Sequence, residues 1–534
     1  MKPAAGETLL INGNVITMEG ADVAPNESNP SAVAFCDGRI QRVGSTRDLL
    51  SQASLNAKIV DLGGRSVVPA FTDSHAHIWK MGHLLTKMLD LRRTRSLEAL
   101  VGAVRDRSSQ LTAGEWLLGR GFNEIAMPEK RKPTRQDLDR AASDRPVVLT
   151  RTCGHIYAVN SVALKLAGIT AATVAPTGGV IERGDDGEPN GLLHETAMGL
   201  INAVMPAPSP DDYREMIGAA LRHQLSLGIT ASADCGVSPE LLNVYLDMDR
   251  RGALPARVSV MPLRRVDGRK EPVDLPQRYT SDMLRVDTVK FLADGGLSGA
   301  TAALSVRYRH ADTKGTLRFE PDDLHRLCQE SHAAGWKIAT HAIGDVAIDL
   351  VLSIYESLGP HPLGLRHRIE HFGLPSEEQL KRAARLGVVS VPQTIFIREL
   401  GCNFLEMVPD VLVHRTYPVR AMLDAGLVVA LSSDAPVVED DNPLAGMHAA
   451  VTRIIKDGPA LLPDQSIAPW EALRGYTTDG AFAHGTAQVR GSISPGKFAD
   501  LAVLSADPLH CDPDELLKIR VDMTFLAGNR VYER

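Results

Sequence analysis

Short apolar runs that are typical of strands occur at both ends of the chain. Thr8–Ile11 is a short run of this kind near the start, and Leu501–Leu504 repeats the texture near the end. The two ends of a compact unit often lie close together in space. The pattern therefore predicts a discontinuous β-sandwich domain formed by residues 1–66 and 487–534.

A turn signal lies between the first two strand-like runs. Asn12-Gly13-Asn14 separates Thr8–Ile11 from residues 15–18. Because Asn-Gly favours the tight turn of a β-hairpin, we expect these two runs to pair with each other in an antiparallel sheet.

Between the two ends, short apolar runs alternate with longer stretches of helical period. This alternation is typical of a parallel sheet covered by helices, and the number of runs is near eight. We therefore expect an α/β fold, a (β/α)8 TIM barrel over residues 67–486, with its chemistry at the carboxyl ends of the strands. The runs are 67–71, 147–149, 229–231, 258–260, 289–292, 338–340, 388–391 and 427–431.

The stretch from residue 77 to residue 290 is too long for that repeat, although it contains three of the runs. Residue 290 lies 213 positions after residue 77, whereas the later runs follow one another at roughly 30–60 positions. Three strand–helix units of about 30 residues each fill only part of this stretch, and the excess corresponds to an insertion of about 100 residues. We expect an inserted cap near residues 90–215 that covers the site and selects the substrate, because loops after barrel strands line the active site.

Composition narrows the range of functions. The net charge is −7 and aromatic residues make up 4%, which argues against nucleic acid as a partner. We expect neither a signal peptide nor a membrane span. Six cysteines lie without paired spacing, as in proteins with reduced thiols. The expectation is a cytoplasmic enzyme with a small-molecule substrate and no membrane partner.

Two histidines stand one residue apart at the end of the first apolar run. On a strand, residues i and i+2 point to the same face, so His75 and His77 can reach one metal ion. A pair of neighbouring histidines alone is weak evidence, since most histidines are hydrogen-bonded structural residues. Further candidate ligands elsewhere in the chain are needed to distinguish metal binding from a structural role.

Four further side chains that can bind metal lie at or near the ends of predicted strands. His341 and Asp434 follow apolar runs, His371 lies in the strand-like segment 368–372, and Lys290 lies within an apolar run. Each alone has an ordinary structural explanation, such as a turn-capping aspartate or a lysine that extends to solvent. Together with the His-x-His pair they predict two neighbouring divalent metal ions with nitrogen and oxygen ligands. Zinc is favoured by such ligands, with iron and manganese as alternatives.

Several longer motifs surround these residues. They are 69–77 (Pro-Ala-Phe-Thr-Asp-Ser-His-Ala-His), 289–295 (Val-Lys-Phe-Leu-Ala-Asp-Gly), 341–345 (His-Ala-Ile-Gly-Asp), 368–371 (Arg-Ile-Glu-His), 431–436 (Leu-Ser-Ser-Asp-Ala-Pro) and 491–501. With them, essentially the whole chain resembles the amidohydrolase superfamily. Within it the chain is similar to the YtcJ-like, amidohydrolase-3 branch, which includes N-substituted formamide deformylases. Segments 116–122 and 151–155 are also similar to this branch, although Cys153 stands where aspartate is more frequent.

The resemblance implies a role for each candidate ligand. His75 and His77 would hold one metal ion, and His341 and His371 the other. Lys290, carboxylated by CO2 at its side-chain nitrogen, would bridge the binuclear centre. Burial beside metal ions favours the neutral amine, which can form the carbamate.

Two points of that assignment involve further residues. Asp434 would bind one ion and also accept a proton from the bridging water. His367 competes with His371 for the last histidine position, and the Arg-Ile-Glu-His pattern favours His371.

The chemistry implied is hydrolysis of a C–N amide bond by metal-activated hydroxide, with an N-substituted formamide or related amide as substrate. Asp434 and His155 would be the catalytic residues, and Arg120, His155 and Asp294 would bind the substrate. A deaminase or a cyclic amide or lactone hydrolase would use the same site. A more distant alternative is a catalytically idle regulatory protein. A homodimer is the expectation from the family.

Overall fold

The computed structural model describes residues 6–20, 30–112, 114–265 and 271–534. Residues 1–5 and 21–29 of the predicted first domain segment lie outside the described residues. Helices and strands alternate over most of the chain, and the chain is a mixed α/β protein. No helix in the described ranges is both long enough and apolar enough to cross a membrane.

Both ends of the chain contribute strands to a common sheet. In spatial order its strands are Asn14–Val15, Ser66–Pro69, Leu501–Leu504, Val521–Leu526 and Asn529–Glu533. A neighbouring sheet has the order Arg39–Gly44, Ala32–Cys36, Thr8–Ile11 and Lys58–Asp61. Phe35 of the second sheet and Phe525 of the first lie in one apolar core, with 5.7 Å between ring centroids.

The predicted first hairpin is wrong. Thr8–Ile11 pairs with Ala32–Cys36 and with Lys58–Asp61, whereas Asn14–Val15 pairs with Ser66–Pro69 in the other sheet. Two of these pairings are parallel, so the sheets are not purely antiparallel. The Asn12-Gly13 turn instead carries the chain from one sheet to the other. Gly13 allows this because a β-carbon there would lie 2.4 Å from a Leu62 methyl carbon.

The centre of the chain contains two sheets of mainly parallel strands. One has the order Tyr279–Thr280, Leu284–Val286, Arg257–Pro262, Ile229–Val237 and Phe71–Ala76, and only Tyr279–Thr280 is antiparallel to its neighbour. The other has the order Thr288–Leu292, Lys337–Ala342, Arg368–His371, Val389–Val391 and Val428–Val429, all parallel. Apart from Tyr279–Thr280, these strands are largely buried, as the apolar runs predicted.

The α-helices connect and cover these strands. Many begin with a capping residue, such as Ser209 before Pro210–Ser226, whose hydroxyl accepts from the Asp212 backbone N–H. After the first central strand the helices are Ile78–Thr86, Leu97–Ser108, Arg135–Asp139, Ser161–Leu166, Gly199–Asn202, Pro210–Ser226, Pro239–Arg250, Pro321–Ala333, Asp345–Leu358, Glu377–Arg385, Ile395–Met407, Asp410–Val413, Val419–Asp424, Pro443–Thr452, Pro469–Tyr476 and Thr478–Ala483. Thr46–Ser51 precedes that strand.

A six-stranded sheet lies where the sequence predicts an inserted cap, near residues 90–215. Its order is Gly179–Arg183, Pro189–Glu195, Ile156–Val159, Val147–Arg151, Leu117–Phe122 and Leu89–Asp90. The sequence pattern predicts that the apolar run 147–149 belongs to the central parallel sheet. The structure instead places it in this mixed sheet. An apolar run shows that a strand is buried but does not show which partner it pairs with.

Helices Ile78–Thr86 and Pro210–Ser226 pack with almost no space between them at Gly82. A β-carbon on Gly82 would lie 1.8 Å from the Met216 carbonyl oxygen. We expect Gly82→Ala to destabilise the protein by about 1–3 kcal/mol, because the helices must move apart. Gly102→Ala is the matched control, since a β-carbon there meets nothing within 4 Å. Thermal unfolding should give a lower midpoint for Gly82→Ala alone, and equal midpoints would contradict the close approach.

Candidate metal centre

The six predicted metal ligands line one cavity. His75 lies near the end of Phe71–Ala76, and His77 follows it. Lys290 and His341 lie on two adjacent strands, and His371 ends the third. Asp434 follows Val428–Val429 by five residues. Their common position arises because parallel strands end at the same edge of a sheet.

The distances within the cluster are short. The Asp434 Oδ1 atom lies 3.2 Å from Nε2 of His77 and 3.4 Å from Nε2 of His75. The His371 ring is 4.8 Å from that of His75 and 4.4 Å from that of His341, between centroids. The structure thus brings all four histidines and Asp434 into one chain of contacts.

Several buried polar atoms in this cluster lack a hydrogen-bond partner among the described residues. They are His75 Nε2, His77 Nδ1, Lys290 Nζ and Asp434 Oδ1. Buried polar atoms are almost always hydrogen-bonded, so a group of orphaned nitrogens and an oxygen around one cavity indicates a missing ligand. Nitrogen and carboxylate donors of this kind fit a divalent transition metal ion.

The protonation states agree with metal binding. Burial lowers the pKa values of His75, His341 and His371, so their imidazoles are neutral near pH 7 and keep a lone pair for a metal. Burial opposes ionisation of Asp434, but His75, His77 and His371 hold the pKa of its carboxyl below the usual range. Asp434 is therefore expected to carry a negative charge near pH 7, as a metal ligand of this type requires.

Neighbouring side chains orient two of the histidines. Glu370 accepts a hydrogen bond from Nδ1 of His75 and also binds the buried guanidinium of Arg368, with Nε–Oε1 at 2.7 Å. The Gln393 side-chain oxygen lies 2.7 Å from Nδ1 of His371. Such contacts fix which ring nitrogen faces a metal. Glu370 lies inside a motif visible in the sequence, whereas nothing in the sequence singles out Gln393.

Removing the Glu370 charge should weaken metal binding. In Glu370→Gln the neutral amide is a poorer acceptor for His75, and we expect the metal dissociation constant to rise about 10–100-fold. Competition with a chelator measures this constant. Glu377→Gln, at an exposed position paired with Lys381, is the control and should not change it. An unchanged constant in Glu370→Gln would contradict the orienting role.

Three residues around the cavity have backbone angles that L-residues rarely adopt. His371, Asp434 and Glu195 have φ values of 69°, 55° and 51°. Such conformations persist only where the surroundings impose them, and they concentrate at functional sites. Part of the imposed geometry at Asp434 comes from its backbone N–H, which donates to the His75 carbonyl oxygen at 2.8 Å.

Two predicted substrate-binding residues line the same cavity. Arg120 comes from Leu117–Phe122, and His155 precedes Ile156–Val159 in the six-stranded sheet. His155 Nδ1 lies 2.9 Å from the carboxylate of Glu195, which also pairs with Arg318. Glu195 and Arg318 were not among the sequence candidates, since no motif marks them. Cys153 also lines the cavity.

Asp294 differs from the prediction. Its carboxylate accepts hydrogen bonds from the backbone N–H groups of Ala303, Ile343 and Gly344, at 2.8–3.0 Å. It does not line the cavity, and burial raises its pKa to about 7. The surroundings therefore favour a role in holding the loops after two strands rather than a substrate contact.

His367, the alternative to His371, lies in a separate group of histidines with His332 and His361. Its Nδ1 accepts from the Ile338 N–H at 3.1 Å, so Nε2 must carry the proton. That proton is directed to Nδ1 of His332, 2.9 Å away. His367 thus has no free lone pair for a metal, and only His371 adjoins the cavity.

Comparison with known proteins gives a consistent result. A family described as the amidohydrolase family matches residues 58–532. YtcJ of Bacillus subtilis, named as an amidohydrolase, is 31% identical, over 94% of this chain and 96% of that protein. An N-substituted formamide deformylase of Arthrobacter pascens is 30% identical, over 99% of this chain and 98% of that protein.

A solved structure is also similar over its full length. The chain superposes on a metal-dependent hydrolase of unassigned function from Pyrococcus horikoshii with a TM-score of 0.75. That protein is 27% identical, and the match covers 95% of this chain and 99% of the other.

Proposed function

The chain belongs to the amidohydrolase family, and we therefore propose that it hydrolyses the C–N bond of a small amide, with N-substituted formamides as the first candidates. It is an enzyme that acts on C–N bonds. The proposal of metal-dependent amide hydrolysis rests on one observation. Four histidines, Asp434 and Lys290 line one cavity, and several of their buried polar atoms have no hydrogen-bond partner among the described residues. The name of the 30% identical Arthrobacter pascens relative supports the choice of formamides.

We propose that the two central sheets are parts of one (β/α)8 barrel. An isolated parallel bridge between Leu263 and Lys290 links them on one side. On the other side, the Ser74 N–H donates to the Leu431 carbonyl oxygen at 3.4 Å. The six-stranded sheet would be the cap, and the two sheets at the chain ends would be the β-sandwich domain. These domain limits stay predictions.

The residues fit two divalent ions. His75 and His77 would hold one ion, His341 and His371 the other, and a carboxylated Lys290 would lie between them, with Asp434 as a further ligand. Zinc is the first candidate, and iron and manganese are the alternatives. When bound, such ions act as Lewis acids and lower the pKa of water.

Asp434 and His155 have different roles in the proposed hydrolysis. Asp434 is positioned to accept a proton from the attacking water and to give it to the departing amine nitrogen. His155, held by Glu195 through Nδ1, has its other ring nitrogen available, which can donate to the acyl oxygen when protonated. Apolar side chains, among them Phe396, Leu400 and Phe404, form part of the cavity wall.

Formate release from a panel of N-alkyl and N-aryl formamides tests the proposal. We expect formate from protein loaded with zinc, and none from the same protein after chelation. The order of rates across the panel would rank the preference for the amine side. Metal-loaded protein that releases no formate would overturn the formamide proposal and direct the search to other amides, cyclic amides, lactones and deamination.

A further inference from the structure

Arg120 is a buried cation that pairs with no carboxylate in the part of the chain that the structure describes. Its side chain is 6% exposed and lines the cavity. Its one hydrogen bond among the described residues runs from Nε to the Pro436 carbonyl oxygen at 3.5 Å, which is long and weak. Arginine stays charged in proteins, and a buried charge without a partner is costly.

Other buried arginines of the chain show what a satisfied guanidinium looks like. Arg368 pairs with Glu370 at 2.7 Å, and Arg257 pairs with Asp500 at 2.7 Å. Arg453 donates to three backbone carbonyl oxygens at 2.8–3.0 Å. Arg120 has neither arrangement, so its donors are left for a group that enters the cavity.

The position of Arg120 suits contact with a substrate. Arg120 donates to the carbonyl oxygen of Pro436, which follows Asp434 by two residues. The guanidinium therefore lies on the same side of the cavity as Asp434. Gly154 leaves room beside it, because a β-carbon there would lie 3.3 Å from Nη2 of Arg120. Gly154 also has φ of 77°, which other residues rarely adopt.

The rest of the cavity wall is divided between charge and apolar surface. Lys80 and Arg318 are further cations in the lining, Arg318 being paired with Glu195, and Asp434 is the carboxylate there. An apolar part of the lining is formed by Met198, Leu297, Phe396, Leu400, Phe404 and Val437. A ligand that matches this wall has an anionic end and an apolar body.

We propose that the substrate is an amide that carries a carboxylate, an N-formyl or N-acyl amino acid with an apolar side chain, and that Arg120 binds the carboxylate. The planar guanidinium offers paired N–H donors that match the two carboxylate oxygens. Hydrolysis breaks the amide C–N bond, adds hydroxyl to the acyl carbon and a proton to nitrogen, and releases an acid and a free amino acid. This inference rests on the proposed amide hydrolysis and specifies its substrate.

Matched substrates test the preference. N-formyl-leucine and N-(3-methylbutyl)formamide differ by the carboxylate alone, and N-formyl-leucinamide replaces it with a neutral group of similar size. With zinc-loaded protein, kcat/KM should be at least about 10-fold higher for the acid than for either neutral compound, in line with a hydrogen bond to a charged group. Equal or higher values for the neutral compounds would overturn the inference and leave amide hydrolysis intact.

Variants identify the residue responsible. Arg120→Gln should lower the ratio of kcat/KM for acid over neutral substrate at least about 10-fold, mainly through KM for the acid, and Arg120→Lys should restore part of it. Arg140→Gln, an exposed position in the same inserted region, should leave the ratio unchanged. A ratio that stays the same in Arg120→Gln would contradict the assignment.

Direct binding separates this inference from amide hydrolysis itself. Calorimetry with 4-methylpentanoate and with 4-methylpentanamide needs no turnover. We expect the carboxylate to bind the native protein at least about 10-fold more tightly than it binds Arg120→Gln, with no such difference for the amide. If no compound is hydrolysed but this difference is found, amide hydrolysis fails and the anion site stands. If the difference is absent, the anion site is refuted whatever the turnover.

Discussion

Asp434→Asn will lower kcat/KM for amide hydrolysis at least about 10³-fold without unfolding the protein, because the side chain loses its negative charge and its ability to accept a proton. General acid–base catalysis contributes about 10²–10⁴-fold, and loss of an anionic ligand adds to this. The change is otherwise small. Asn tolerates the left-handed conformation of this position, φ 55°, as well as Asp does. The backbone hydrogen bond to the His75 carbonyl oxygen is also retained.

The measurement pairs initial rates with metal content by elemental analysis and with a thermal unfolding midpoint. Asp457→Asn is the matched control, since Asp457 is exposed, has φ of 60° and lies away from the cavity. It should keep full activity. A variant of Asp434 that turns over amides at the native rate would show that this carboxylate moves no proton. If neither the native protein nor Asp434→Asn hydrolyses any amide although metal is bound, the result would favour the alternative of a catalytically idle regulatory protein.

The central strands could be predicted because burial on both faces leaves a direct trace in sequence. The runs near 229, 258, 289, 338, 388 and 427 all became parallel strands. The run at 147–149 and the turn at Asn12-Gly13 were assigned to the wrong partners. Most of the run at 67–71 was also misassigned, since Ser66–Pro69 pairs with Leu501–Leu504 and the central strand begins only at Phe71. Strand pairing depends on contacts between residues far apart in sequence, and local pattern carries no record of them.

The same distinction explains which site residues were found. The strand topology alone brings the six candidate ligands together, because Lys290 lies within a parallel strand and the others lie near or after the carboxyl ends of such strands. These others are His75, His77, His341, His371 and Asp434. Three further residues reach the site from other parts of the fold. Glu195 comes from the six-stranded sheet, Gln393 from the segment after Val389–Val391, and Arg318 from a long loop. Their positions depend on how these parts pack. Asp294 lies inside a recognisable motif, but its carboxylate is used by three backbone N–H groups.

Lys290→Ala should abolish both metal retention and turnover, with kcat/KM at least about 10³-fold lower, because the proposed bridge between the ions is lost. Lys290 is 2% exposed, and its Nζ has no hydrogen-bond partner among the described residues. An unmodified ammonium has no lone pair for a metal, whereas a carbamate offers two oxygens. A small carboxylate such as acetate, which can occupy the space left by the side chain, should restore part of the activity and of the metal content.

Carboxylation itself can be observed directly. Protein that is stripped of metal, freed of CO2 and given zinc with ¹³C-bicarbonate should show a carbamate ¹³C resonance, and activity should return only when bicarbonate is present. Lys290→Ala should lack the resonance. Lys337→Ala, which removes another buried lysine on the next strand, paired with Asp287 at 3.2 Å, should keep it. Full recovery of activity without bicarbonate, with no carbamate signal, would mean that Lys290 acts unmodified and that the ions, if two are bound, are bridged by other groups.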